Sequence, residues 1–194
     1  MKILKRILIV LFVDQGASAQ QIAKYAGEFL SIGVGGRALG LGGAYAALAN
    51  DASAGYWNPA ALARLNYPEF MLMHDERFGG IVNYDFGAVA IPFGTDVTLG
   101  VSIMRLGVDG IPDSRNALVD RNQNGILDST DFIDPSKVTY FNSADWALYF
   151  TYSKRVSNNL TYGINLKILR RGLEVASATG IGFEIGRASC RERV

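Results

Sequence analysis

The chain has 194 residues, with 19 Lys plus Arg against 18 Asp plus Glu and a formal net charge of +1. That balance excludes a nucleic-acid partner held by charge, which needs a clustered basic face. No run of ~18 apolar residues follows the N-terminus, so a helical membrane span is excluded; 22 glycines, 9 tyrosines and 10 phenylalanines suit long strands and tight turns.

Residues 1–19 read as a signal peptide. Lys2, Lys5 and Arg6 form a positive n-region, Ile7 to Val13 a short apolar stretch, and Ala17-Ser18-Ala19 an A-x-A cleavage site. The mature chain is expected to start at Gln20, outside the cytoplasm. Residues 20–67 come next: Gln21 to Leu30 suits a short helix, and Gly33 to Ala49 carry so many Gly and Ala residues that neither helical nor strand periodicity decides. Asn58-Pro59 is a clearer signal. Asn58 suits an N-cap and Pro59 the first helical position, where its missing N–H is not needed, which predicts a short helix over Ala60 to Leu65.

From Pro68 the period changes to two. Val97, Leu99, Val101 and Ile103 alternate with Thr98, Gly100, Ser102 and Met104; Trp146, Leu148, Phe150 and Tyr152 do the same with their neighbours, as do Leu160, Tyr162, Ile164, Leu166 and Ile168. Six strands are predicted, at 68–76, 80–93, 96–109, 144–156, 160–171 and 176–185. All exceed the ~5–6 residues usual in globular sheets and reach or pass the ~9–11 that cross a bilayer. Gly94-Thr95-Asp96 and Ser157-Asn158-Asn159 read as tight turns; residues 110–143 form a long loop on the opposite side. Six strands are too few to close a barrel, which needs at least eight.

Within the long loop, DRNQNGILDSTD places oxygen ligands at calcium-loop spacing. Asp120, Asn122 and Asn124 take positions one, three and five, and Gly125 the sharp turn at six. Ile126 offers its carbonyl at seven, Asp128 follows at nine and Asp131 at twelve. An Asp in place of the final Glu resembles dockerin-type extracellular loops and implies a weaker, structural Ca2+ site. The competing reading is a solvated Asx-rich turn.

Catalysis finds little support. His74 is the sole histidine and has no serine near it in its own strand. The glycines of Gly33 to Gly43 lack the strand–GxGxxG–helix context and the GK[ST] ending of phosphate cradles. The chain is therefore read as no enzyme. Glu69, Asp75, Asp85 and Lys167 are expected on an inner face, and Tyr67, Phe93, Tyr140, Phe141, Trp146 and Tyr152 near strand ends as aromatic girdles. The sole cysteine, Cys190, lies in a tail from Gly186 that breaks the preceding alternation. Glu184 to Val194 also match a translated sequencing adapter, so 187–194 read as a non-native tail and disulfides play no part.

The stretch GEFLSIGVGGRALGLGGAYAALANDASAGYWNPAALARL, Gly27 to Leu65, resembles the N-terminal signature of the PorV/PorQ family, relatives of FadL-type hydrophobic-compound transporters. The resemblance implies an all-β fold: a transmembrane antiparallel β-barrel, incomplete here, with 20–67 as a small, partly helical hatch and 68–186 as the first wall strands. It implies the bacterial outer membrane as location and outer-membrane lipid as surroundings. The role would be passive transport of hydrophobic small molecules, or an accessory part in type IX secretion with secreted cargo proteins as partners. The alternative reading is a secreted, soluble calcium-binding β-domain for adhesion or assembly.

Overall fold

The computed structural model describes residues 27–189 apart from 122–124, 126–128, 130, 158 and 175. The signal peptide expected over 1–19, Cys190 and the end of the tail lie outside these residues. Six strands form one antiparallel sheet: β1 (Glu69–Arg77), β2 (Val82–Phe93), β3 (Val97–Asp113), β6 (Thr139–Ser157), β7 (Leu160–Leu173) and β8 (Ala176–Ser189). The order is β1-β2-β3-β6-β7-β8. β4 (Leu118–Val119) and β5 (Phe132–Ile133) make a separate two-stranded ribbon inside the long loop.

All six predicted strands are present, but β3 and β6 extend well into the expected loop, and β8 continues to Ser189, where the alternation was expected to have ended. The barrel expectation is corrected. β1 pairs only with β2 and β8 only with β7, so the sheet is open and its two outer strands are edges. Barrel closure requires these edges to join, and in the described chain they do not.

Strict alternation splits each strand between two faces. The inner face carries the segment from Gly27 to Tyr67, which folds into short helical turns at Glu28–Ile32, Gly36–Gly40, Ala54–Trp57 and Pro59–Arg64. The last starts as the sequence predicts, with Asn58 accepting a hydrogen bond from the Ala60 N–H at 3.1 Å and Pro59 in the first turn, but it is a 3-10 helix. Tight 3-10 winding suits a six-residue piece.

Small and polar residues on the inner face let this segment approach closely. A side chain on Gly100 would stand 2.7 Å from Leu62 Cδ1, and one on Gly163 would collide with the Pro59–Ala60 backbone. Hydrogen bonds then fix the position. The buried Asn165 amide donates to the Gly55 carbonyl at 2.7 Å and accepts from Thr151 Oγ1 at 2.5 Å. Ser153 Oγ donates to the Ala60 carbonyl at 3.1 Å and accepts from the Ala63 N–H at 3.0 Å. Beside this polar zone lies the apolar core, where Leu62, Tyr45, Phe29 and Val34 meet Tyr84, Phe86, Met104 and Tyr149 of the sheet. Tyr56 stacks on Tyr149 with ring centroids 6.3 Å apart.

Asn165→Ala leaves the Gly55 carbonyl buried without its donor and is expected to cost about 1–3 kcal/mol. Chemical denaturation of the wild-type and variant chains measures the loss.

Candidate functional site

The opposite, outer face carries the apolar half of every strand. Register aligns these residues in rows across the sheet. One row reads Leu72, Gly87, Ile103, Leu148, Ile168 and Ile181. The next reads Phe70, Val89, Val101, Phe150, Leu166 and Phe183. Leu72 is 80% exposed, and even in the middle of the sheet Ile103 and Phe150 remain 45% and 43% exposed. A contiguous apolar patch this wide marks an interaction surface, because single folded chains rarely expose one.

A charged row borders the patch: His74, Asp85, Arg105, Trp146, Arg170 and Thr179, each opposite the next. His74 Nδ1 lies 2.6 Å from Asp85 Oδ1, and its Nε2 lies 3.4 Å from Glu76 Oε1. Arg105 Nη1 donates to Asp85 Oδ2 at 3.2 Å, and its guanidinium lies 5.9 Å from the centre of the Trp146 ring. The Asp85 and Glu76 carboxylates raise the His74 pKa, and His74 followed by Arg105 holds the Asp85 carboxyl below its usual range. A hollow of about 570 Å³ opens over Gly87, walled by Leu72, Ile103, Arg105 and Trp146.

The structure divides the expected inner-face charges. Glu69, Asp75 and Lys167 lie on the face that carries the N-terminal segment, where Lys167 Nζ pairs with Glu184 Oε2 at 2.8 Å and sits 4.7 Å from the Tyr149 ring centre. Asp85 instead lies on the outer face, because it stands opposite His74 while Tyr84 and Phe86 point inward. Of the expected aromatic girdle, Phe93, Trp146 and Tyr152 lie on the outer face, and Tyr67 precedes β1, largely exposed.

Of the six expected calcium ligands, Asp120 and Asp131 are described, and Asn122, Asn124, Ile126 and Asp128 lie outside the described residues. The ribbon of β4 and β5 brings the two aspartates together, since Val119 pairs with Phe132 beside them. Both carboxylates turn into the loop: Asp120 Oδ2 accepts from the Gly125 N–H at 2.8 Å, and Asp131 Oδ1 from the Arg121 N–H at 3.1 Å. Gly125 has φ 72°, as the sharp turn at position six requires. Asp120 Oδ1 is buried with no hydrogen-bond partner among the described residues, a deficit that a hard cation would fill. Among the described residues alone, no group of three or more His, Cys, Asp or Glu is placed to hold a metal.

Fold and site together define an open antiparallel sheet covered on one face by its own N-terminal segment and bare on the other. Residues 12–104 match the Uncharacterised protein family (UPF0164), a likeness confined to just under half the chain. No curated protein and no solved structure matches the chain. The PorV/PorQ resemblance is thereby corrected: the family match is a different one, and the sheet is open. No described helix is long and apolar enough to cross a membrane, which says nothing of strands. The other expectations drawn from the barrel were an outer-membrane location, a lipid surround, passage of hydrophobic compounds and service to secreted cargo. All of them required a closed wall, which the described strands do not build.

The sign of the His74 shift sets a pH dependence. A raised pKa means stability fully present below the unfolded value of ~6.5 and lost as pH rises through the folded value. The lowered Asp85 pKa places the acid limit of the pair below ~3.9. Denaturation midpoints are therefore expected to fall between about pH 5.5 and about pH 8.5, and His74→Gln is expected to flatten that difference.

Proposed function

We propose that the chain is a secreted, calcium-binding β-domain that works by assembly: its bare outer face is the surface on which a protein partner docks. The single observation that carries this reading is the apolar patch on an open sheet whose other face is already filled. The reading is non-catalytic. Both nitrogens of His74 are engaged by carboxylates on an exposed strand, and no nucleophile joins them in the hydrogen bonds of the described residues. Calcium has a structural role, holding Asp120 against Asp131 so that the long loop keeps one shape beside the docking face. The two described aspartates, the turn at Gly125 and the unpartnered Asp120 oxygen support that role.

Two experiments test the reading. In limited proteolysis of the full chain, calcium is expected to protect the loop over 110–143, and Asp120→Asn to weaken calcium binding in calorimetry by about tenfold or more, since ligand charge tunes such sites. Cleavage that is the same with calcium and with chelator would remove calcium from the reading. For docking, Val101→Ser together with Phe150→Ser is expected to reduce association measured by light scattering. Flotation of the wild-type chain with phosphatidylcholine–phosphatidylglycerol vesicles would overturn the assembly role in favour of a lipid surface.

A further inference from the structure

We infer that the occupant of the outer face is a second copy of this chain, packed face to face about a twofold axis parallel to the strands. The inference rests on the assembly reading above and names its partner. Six strands place the sheet midline between β3 and β6. An axis along that midline lays β1 over β8 of the second copy, β2 over β7 and β3 over β6. Two independent features of the face are complementary under this operation.

The first is charge. In the bordering row, Asp85 on β2 comes to lie opposite Arg170 on β7 of the second copy, and Arg105 on β3 opposite Trp146 on β6. The symmetry repeats both pairs. Arg170 makes no ion pair among the described residues, and Asp85, which already holds His74 and Arg105, would meet it as a further cationic partner. Arg105 over an indole face is an attractive pairing. No like charges meet in this row. A twofold axis across the strands does worse. It keeps each strand over its own copy and turns that strand end for end, so that, centred on the row of Val89 and Phe150, it sets Asp85 against Phe93 and Trp146 against Lys154.

The second is shape. The hollow over Gly87 lies on β2, in the row next to the charges, and the axis along the strands places Ile168 of the second copy above it. Gly87 leaves space that its neighbours Leu72 and Ile103 wall but do not fill. An isoleucine fits a hollow with apolar walls, and symmetry again makes two such contacts.

Size is sufficient. Strands ~4.8 Å apart and rows two residues apart give a patch of roughly 25 by 25 Å, with faces ~10 Å apart as in sandwiches. Two such patches bury about 1,200 Å² or more in total, the lower limit of stable specific interfaces.

The test is sedimentation equilibrium of the full chain carrying Cys190→Ser. A dimer is expected. Arg170→Asp, at an exposed position, is expected to raise its dissociation constant about tenfold or more by setting two carboxylates face to face, and adding Asp85→Lys to restore dimerisation in part. Gly87→Cys with Ile168→Cys supplies a second readout. These positions are three strands apart within one copy, on the order of 14 Å, so a short bis-maleimide yields a covalent dimer only if the faces meet. A dimer insensitive to Arg170→Asp and not cross-linked through these positions overturns the inference. A monomer that stays out of vesicles overturns it and leaves docking of another protein standing, whereas a monomer that floats with vesicles overturns both.

Discussion

The contact on which the rest of the fold depends is the seat of the N-terminal segment against the sheet. Gly163 and Gly100 give up side chains so that Pro59, Ala60 and Leu62 can approach, and Asn165, Thr151 and Ser153 supply the polar groups that the short turns need. Short helical pieces leave many of their backbone groups unpaired. Burying them against a purely apolar sheet would cost a few kcal/mol for each group left unpaired. The inner face must therefore be small and polar where the segment sits. Alternation does the rest: once one face is committed largely to small and polar residues, most Val, Ile, Leu and Phe residues of the same strands fall on the other face, with Phe86, Leu106 and Leu169 kept for the inner core.

The seat also explains why the segment has so little regular structure. Four turns of four to six residues each have too few internal hydrogen bonds to stand alone. Side chains substitute for them. Trp57 Nε1 donates to the Val34 carbonyl at 3.0 Å, and Asp51 accepts from the Ser53 N–H and hydroxyl and from Tyr45. The segment is thus specified by the wall beneath it and by its own capping residues more than by helical propensity, which Gly and Ala in such numbers leave undecided.

That distinction marks what could be read from the sequence. The six strands were legible because side-chain period is a local property, and Asn58-Pro59 was legible because a cap is chemistry at two adjacent residues. The extension of β3 and β6 was not. Their register shifts between Val108 and Ile111, and the bulge breaks the alternation at Gly110 where a loop was expected. The β4–β5 ribbon escaped because two residues per strand carry no period. Asp85 was placed on the wrong face because its orientation follows from the turn at residues 78–81, where Phe78, Gly79 and Gly80 all have positive φ and set the register of β1 against β2.

Closure failed for a different reason. Long, alternating strands are needed by a barrel, and they are equally what an open sheet needs when one face holds a folded segment and the other a partner. Strand length and alternation are set residue by residue; closure depends on the number of strands and on whether the first edge meets the last. The row of His74, Asp85, Arg105, Trp146 and Arg170 shows the same limit from the other side. Its members come from five strands and no two are close in sequence, so nothing in the linear pattern announces them. Only register brings them into line. Once aligned, the one carboxylate of the row, Asp85, lies toward one edge and Arg170 toward the other, an asymmetry with no consequence for a single sheet. It acquires a physical meaning only when a second surface, with the opposite order of charges, lies across it.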